Sequence, residues 1–241
     1  VAIGEAGTGT LYLIPCPLGP TPLDWVLPEE TRRIAARLDT FVVEHAKSAR
    51  AFLKQVGTHT PLQQLTLREL NEHTRADALR DLLAPLLLGQ DVGLLSEAGC
   101  PAVADPGADL VRLAHRHDIA VKPLVGPSSL LLALMGSGLV GQRFAFHGYL
   151  PAKTEDRAQT LKTLEKRARA EQAAQLFIET PYRNQSMFEG ILEACAPNTL
   201  LTLACDLTLH TELIQTRRVG DWRKHTPDLN RRPCVFLLGG E

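Results

Sequence analysis

The chain has 241 residues, 44% hydrophobic and 22% charged, and its 26 basic and 27 acidic side chains leave a formal charge of -1. That length accommodates one large domain or two smaller ones, each with its own core. The balanced charge offers no bulk attraction to nucleic acid, which leaves a local basic patch as the route to such a partner. No apolar run approaches the ~20 residues of a membrane-spanning helix, and the N-terminus lacks the basic and then apolar pattern of a signal peptide. The five cysteines are odd in number and include no CxxC pair, and the eight histidines are scattered. Reduced thiols in a cytoplasmic protein without a metal site are therefore expected.

In chain order, residues 1–9 are glycine-rich, but no strand precedes them and no helix follows, so they read as a tail and not as a nucleotide loop. Residues 10–14 form an apolar strand that ends in the proline-bounded turn Pro15-Cys16-Pro17-Leu18-Gly19-Pro20. A helix opens near Pro28, with Glu29 and Glu30 in its first turn, and runs through Ile34 to Leu38. Residues 41–43 read as a strand delivering Glu44 and His45 at its carboxyl end. A helix over 48–55 follows, with Gly57 as its C-cap. Residues 58–74 have no clear assignment. A helix spans 75–88, and Pro85 inside it is expected to kink or end it.

The next stretch, Asp91 to Gly107, organises the first half. Val92-Gly93-Leu94-Leu95 reads as a buried strand, followed at once by Ser96-Glu97-Ala98-Gly99-Cys100 and by Pro101 and Pro106. Small residues let a ligand approach the backbone, and strand ends that feed helices are where open α/β sheets bind ligands. After a helix over 108–116, a strand over 120–125 ends in Gly126-Pro127-Ser128-Ser129, directly before an apolar helix over 130–135. Hydroxyls and free N–H groups at that helix start suit either a cap or a pocket wall.

In the second half, residues 144–149 read as a strand, 150–153 as a linker and 153–172 as a charged helix. A strand over 174–178 ends in Glu179-Thr180-Pro181-Tyr182-Arg183-Asn184, and a helix follows to Cys195. The strand over 199–205 ends in Asp206-Leu207-Thr208. Further strands, 211–219 and 233–238, are expected to be adjacent and antiparallel. The alternation of strands and helices defines an α/β protein. Two α/β domains are expected, residues 1–150 with a mostly parallel sheet and 151–241 with a mixed one. Small or proline-bounded loops at the strand ends of both would face a shared cofactor cleft.

The segments GTLYLIPCPLG, LNE at 70–72, LLSEAGCPAVADPG, GPSSLLLAL with SGL, FHGYLP, IETPYR and DLT, in this order, resemble the class III S-adenosylmethionine-dependent methyltransferases, the tetrapyrrole methylase superfamily. The likeness is greatest to its branch that methylates a ribose 2′-oxygen of a cytidine in small-subunit ribosomal RNA, and it covers residues 10–239. The resemblance implies a homodimer and a folded S-adenosylmethionine. By position, it implies cofactor contacts from Pro17, Leu18, Gly19, Ser96, Glu97, Ala98, Gly99, Ala102, Val103, Ser128 and Ser129, and from Thr180, Tyr182, Leu207 and Leu238, largely through backbone. Glu97 is expected to hold the cofactor and not to do chemistry.

The substrate side departs from the pattern. Glu-Asp-Thr-Arg of the RNA-methylating members is replaced here by Glu44-His45-Ala46-Lys47, and Ser-Pro-His-Arg by Thr180-Pro181-Tyr182-Arg183. A ribose hydroxyl needs a base, for which Glu44 is the candidate, with Lys47 and Arg50 placing a phosphate. Glu44 reads equally well as a helix-capping carboxylate. Methylation of RNA predicts a basic rim from Arg217, Arg218, Arg231 and Arg232. Methylation of a tetrapyrrole or other small molecule, and non-catalytic binding of the cofactor, are the alternatives.

Overall fold

The computed structural model describes residues 7–71, 74 and 76–240. Residues 1–6 of the glycine-rich tail, Glu72 and Arg75, which enter the expectations above, lie outside the described residues. The chain divides into two compact units, residues 1–127 and 128–241.

The first unit carries β1 (Thr10–Ile14), α1 (Leu23–Val26), α2 (Glu29–Arg37), β2 (Thr40–Val43), α3 (Ala46–Val56), β3 (Thr66–Glu69), α4 (Ala76–Leu87), β4 (Val92–Leu95), α5 (Gly107–Arg116) and β5 (Ala120–Pro123). Its five strands pair in the order β3-β2-β4-β1-β5, and every pairing is parallel. Alternate strand residues face opposite layers. Ile14, Phe41, Val43 and Leu95 pack with Ile34, Ala35, Ala49, Phe52 and Leu53 of α2 and α3. Leu11, Val42, Val92 and Leu94 pack with Leu82, Leu83, Leu86, Leu110 and Ala114 of α4 and α5. Both faces are thus covered, which is why these strands read as continuous apolar runs. Gly93 is required at the centre, because a Cβ there would lie 2.7 Å from the Phe41 ring and 2.9 Å from Ile14.

Three details differ from expectation. Residues 66–69, within the unassigned segment, form an edge strand of mixed polarity, paired with β2 alone. Pro85 does not end α4. The carbonyl of Asp81, four residues earlier, loses its helical donor to the proline and accepts Arg68 Nη1 at 2.6 Å instead. Pro123 closes β5, an edge strand paired only with β1, where a missing N–H is tolerated.

The second unit carries α6 (Ser129–Ser137), β6 (Phe144–Tyr149), α7 (Thr154–Ala170), β7 (Ala174–Ile178), a 3-10 turn (Pro181–Arg183), α8 (Asn184–Ala194), β8 (Leu200–Cys205), β9 (Leu213–Arg218), α9 (Val219–Trp222) and β10 (Cys234–Gly239). Its sheet runs β6-β7-β10-β8-β9. β6 pairs parallel with β7, and the other three pairings are antiparallel, giving the expected mixed sheet. The division falls before α6 and not at Pro151, because β6 bonds to β7 and the Leu150 side chain joins the second core. That core stacks Phe177 on Phe236 at 5.6 Å and sets Phe188 edge-on to Trp222 at 5.8 Å. Trp222 Nε1 donates to Leu201 O at 2.9 Å, so the buried indole keeps a partner.

Candidate active site

In the first unit β4 and β1 are neighbours, and the chain leaves them for opposite faces of the sheet. The segment after β1 leads to α2 on one face, and the segment after β4 leads to α5 on the other. Such a switch point opens a crevice at the carboxyl ends of the strands. The loops after both strands meet there. Cys16 N donates to Gly99 O and Gly99 N to Cys16 O, each at 2.9 Å. Gly99 has φ +71°, and a Cβ on it would sit 3.2 Å from Leu18 Cδ2. A side chain at 99 would be strained on both counts.

Beyond this bridge the β4–α5 loop is held by Asp105. Its Oδ1 accepts the backbone N–H groups of Ala102 and Gly107, both at 2.8 Å. The fixed turn places Ala102 and Ala104 at φ +64° and +59°. Val103, between them, is exposed. Burial raises the Asp105 carboxyl above its ordinary range, with the two N–H donors opposing.

The carboxyl end of β2 adjoins this loop. Glu44 Oε2 accepts the backbone N–H of Glu97 at 3.3 Å. The Ser48 hydroxyl of α3 donates to Glu97 Oε1. Glu44 is raised above the usual glutamate value by burial, with the Glu97 N–H opposing; the charges of Glu97 and Asp105 raise it further and His45 lowers it. A cavity of about 10 Å³ lies between Val43, Glu44, Leu70, Leu95, Asp105 and Gly107, room for about one water. Glu44 does not cap α3. That role falls to Glu69 of β3, whose Oε1 accepts Ala46 N at 3.0 Å. Glu69 lies in the segment 58–74 that has no clear assignment from sequence, and the register that sets Glu69 beside Val43 is not readable there. Lys47 and Arg50 are exposed on the first two turns of α3. The Cys16 thiol is pushed up to about 12 by burial first and by the Glu97 charge second, which keeps it inert.

In the second unit, Thr180, Tyr182 and Leu207 share the sheet edge formed by the carboxyl ends of β7 and β8. Glu179, next to them, is buried. Its Oε1 accepts Thr180 N at 2.6 Å and Arg183 Nη2 at 2.8 Å, while Oε2 has no partner among the described residues. Leu207 is buried between Asp206 and Thr208, both at positive φ, and the buried Thr208 hydroxyl is also without a partner among the described residues. Ser128 caps α6, its Oγ accepting Leu131 N at 3.4 Å.

Two expectations do not survive this geometry. Leu238 does not join Thr180 and Leu207. β10 runs antiparallel, so Leu238 pairs with Gln175 and Leu201 at the far end of β7 and β8, and its side chain is fully buried. The four arginines expected as one rim divide between the two edges. Arg217 and Arg218 end β9 beside Leu200 and Leu201, whereas Arg231 and Arg232 precede β10 at the opposite edge. Among the described residues, no group of three or more His, Cys, Asp or Glu side chains is placed to hold a metal ion, and no helix is long and apolar enough to cross a membrane.

Solved structures share this architecture. The methyltransferase CobJ superposes with a TM-score of 0.62 at 21% identity, covering 97% of this chain and 94% of that one. A uroporphyrin-III C-methyltransferase from Thermus thermophilus gives 0.54 at 18% identity, covering 96% and 92%. The fold is therefore that of the tetrapyrrole methylases. In sequence, the chain is 34% identical over 238 residues to the ribosomal RNA small subunit methyltransferase I of Escherichia coli O157:H7, covering 96% of this chain and 78% of the relative. The protein of that name from Vibrio cholerae is 32% identical over 240 residues, covering 97% and 78%. No family model matches. The chain belongs to the ribosomal RNA small subunit methyltransferase I family.

Proposed function

We propose that the protein methylates small-subunit ribosomal RNA, taking the methyl group from S-adenosylmethionine. The observation that carries the reading is the identity of about one third with enzymes of that name along nearly the whole chain.

The residues present fit the cofactor. The Cys16–Gly99 bridge and the positive-φ turn at 102–104 hold a loop of small residues at the strand ends, where a Cβ on Gly99 would crowd Leu18. The unpartnered Glu179 Oε2 is an acceptor suited to a ligand amine or hydroxyl. Pro17, Leu18, Gly19, Ser96, Glu97, Ala98, Gly99, Ala102 and Val103 of the first unit, with Ser128, Ser129, Thr180 and Leu207 of the second, are the proposed cofactor residues. Bound there, S-adenosylmethionine supplies a methyl group on a positively charged sulfur.

A ribose hydroxyl is barely ionised near neutral pH, so its attack needs a base. Glu44 takes that proton. Its carboxyl is raised by burial, which brings it closer to the working pH and makes it the stronger base. The Glu97 N–H and the Ser48–Glu97 contact hold the Glu44 segment against the cofactor loop, so the role of the fold is chiefly positioning. Lys47 and Arg50 meet the RNA phosphates. A cytoplasmic homodimer goes with this reading, and light scattering tests it.

The experiment is incubation with labelled S-adenosylmethionine and small ribosomal subunits from cells lacking the gene, beside a small-molecule fraction of the same cells. Label in a ribose of the small-subunit RNA is expected. Label in small molecules alone sinks the RNA reading, and no label in either sinks the enzymatic one.

A further inference from the structure

We propose that Tyr182 and Arg231 form a docking platform for an unpaired nucleotide of the RNA substrate, an inference that rests on the RNA reading above. It moves Tyr182 from the cofactor set to the substrate surface. Tyr182 lies in the 3-10 turn after β7 and is 77% exposed. The Arg231 guanidinium sits over its ring, 5.9 Å from the centroid.

Three arginines converge on this corner, and two are committed elsewhere. Arg183 pairs with the buried Glu179 at 2.8 Å, and Arg232 Nε pairs with Asp206 at 2.8 Å. Among the described residues no carboxylate pairs with Arg231. Its charge is therefore available, and its planar group lies over an aromatic ring that solvent reaches.

The position of Arg231 is imposed. Its backbone has φ +58°, a conformation uncommon for a non-glycine residue. Contacts on both sides hold it there. Arg231 N donates to Pro181 O at 3.1 Å, Arg232 Nη2 donates to Thr211 O at 2.7 Å, and the buried Asn184 Nδ2 donates to Arg232 O at 2.6 Å. A strained residue fixed by its neighbours is a candidate for a functional position. The turn bearing Tyr182 and the segment bearing Arg231 are joined by the first of these bonds, so the ring and the cation are presented as one unit.

An exposed aromatic ring beside a guanidinium that no described carboxylate pairs with matches single-stranded RNA. A base stacks on the ring, the cation neutralises the adjoining phosphate, and neither contact needs a particular base. The net charge of -1 then presents no contradiction, because binding would rest on a few placed cations and not on a basic field.

The test uses the full chain, a transcript of small-subunit ribosomal RNA, and the variants Tyr182→Leu, Tyr182→Phe, Arg231→Gln and Arg231→Lys. Tyr182→Leu should weaken RNA binding roughly tenfold, the scale of one lost base stack, while Tyr182→Phe retains it. Arg231→Gln should weaken binding and reduce the slope of log affinity against log salt by about 0.7, one single-strand phosphate contact. Arg231→Lys should keep the slope. S-adenosylmethionine affinity, read by calorimetry, should be unchanged throughout. If Tyr182→Leu fails to fold, the Arg231→Gln and Arg231→Lys pair reads the same site.

Loss of cofactor affinity with intact RNA binding would return Tyr182 to the cofactor and overturn the platform. So would variants indistinguishable from a wild type that does methylate the RNA. A wild type that binds no small-subunit RNA overturns both this inference and the function on which it rests.

Discussion

The Glu44 carboxylate and the Glu97 backbone N–H are joined at 3.3 Å, although 53 residues separate them. One stands at the end of β2 and the other just past β4, and these strands are neighbours. The contact ties the segment that bears the proposed base to the loop proposed to hold the cofactor. It also makes Glu44 a hydrogen-bond acceptor in a half-buried position, which sets its chemistry.

Replacing Glu44 by glutamine keeps the acceptor and removes the base. Methyl transfer to ribosomal RNA is expected to fall at least about a hundredfold, the lower range for a positioned general base. S-adenosylmethionine affinity should stay within the error of calorimetry. Undiminished turnover in a single-turnover assay would remove Glu44 from the mechanism.

The same substitution has a pH signature. The folded-state value of Glu44 is raised, chiefly by burial. The folded protein therefore holds this proton more tightly than the unfolded chain, whose glutamates titrate near about 4.3. The stability associated with the proton is fully present below that value and is lost as pH rises through the raised one. Glu44→Gln should therefore melt above the wild type at pH 7, with the gap closing below pH 4. A gap that persists at low pH would contradict this. In the same direction, the acidic limb of the wild-type pH–rate profile should lie above the ordinary glutamate value.

Asp105 braces the positive-φ turn through two backbone donors. Asp105→Ala should lower stability by about 2 kcal/mol, the scale for losing bonds to a charged acceptor, and should weaken cofactor binding. Asp105→Asn retains an acceptor oxygen and should recover part of both. Urea unfolding and calorimetry check the pair, and an Asp105→Ala protein with unchanged cofactor affinity would separate the turn from the site.

Gly99→Ala forces a Cβ into a left-handed backbone, at a cost of about 1–2 kcal/mol, and brings it to 3.2 Å from Leu18. If the bridge to Cys16 relaxes to relieve it, the cofactor loop shifts. A shift that costs the complex ~1.4 kcal/mol weakens the cofactor roughly tenfold. Equilibrium binding of S-adenosylmethionine measures this directly, and full affinity in Gly99→Ala would show that the loop tolerates the side chain.

The five thiols should separate by burial. Cys16, Cys195, Cys205 and Cys234 are buried, and Cys100 is half-buried. Burial first, then the neighbouring charge of Glu97 for Cys16 and of Glu165 for Cys195, pushes both thiols up to about 12, and burial also raises Cys234. Thiolates are the reactive form. Native protein treated with a disulfide reagent should release one equivalent rapidly, from Cys100, and the rest only in denaturant. Cys100→Ser should abolish the fast phase, and its persistence would refute the assignment.

Much of the fold could be read in advance because buried strands and amphipathic helices leave periodic signals. β1, β2, β4, β7, β8 and β10 are runs of apolar residues, and the loops after β1, β4 and β7 are small or proline-bounded. β3 left no such signal. It is an edge strand of four residues, three of them polar, and it is a strand only because β2 offers a partner. Pro85 was misleading for a related reason. The group that accommodates it, Arg68, comes from another element.

The candidate site divides in the same way. The segment from Ser96 to Gly107 announces itself by composition, and its role as a loop at a strand end follows from local chemistry alone. Its partners do not. That Gly99 bonds Cys16, that Glu69 and not Glu44 caps α3, and that Leu238 lies at the wrong end of its sheet all depend on strand order and direction. By itself the sequence determined the alternation of elements, the family pattern and the loops that carry it, since each is written in contiguous residues. The tertiary structure alone decided which distant side chains meet, because a parallel or antiparallel neighbour moves a residue from one edge of a sheet to the other without changing any letter near it.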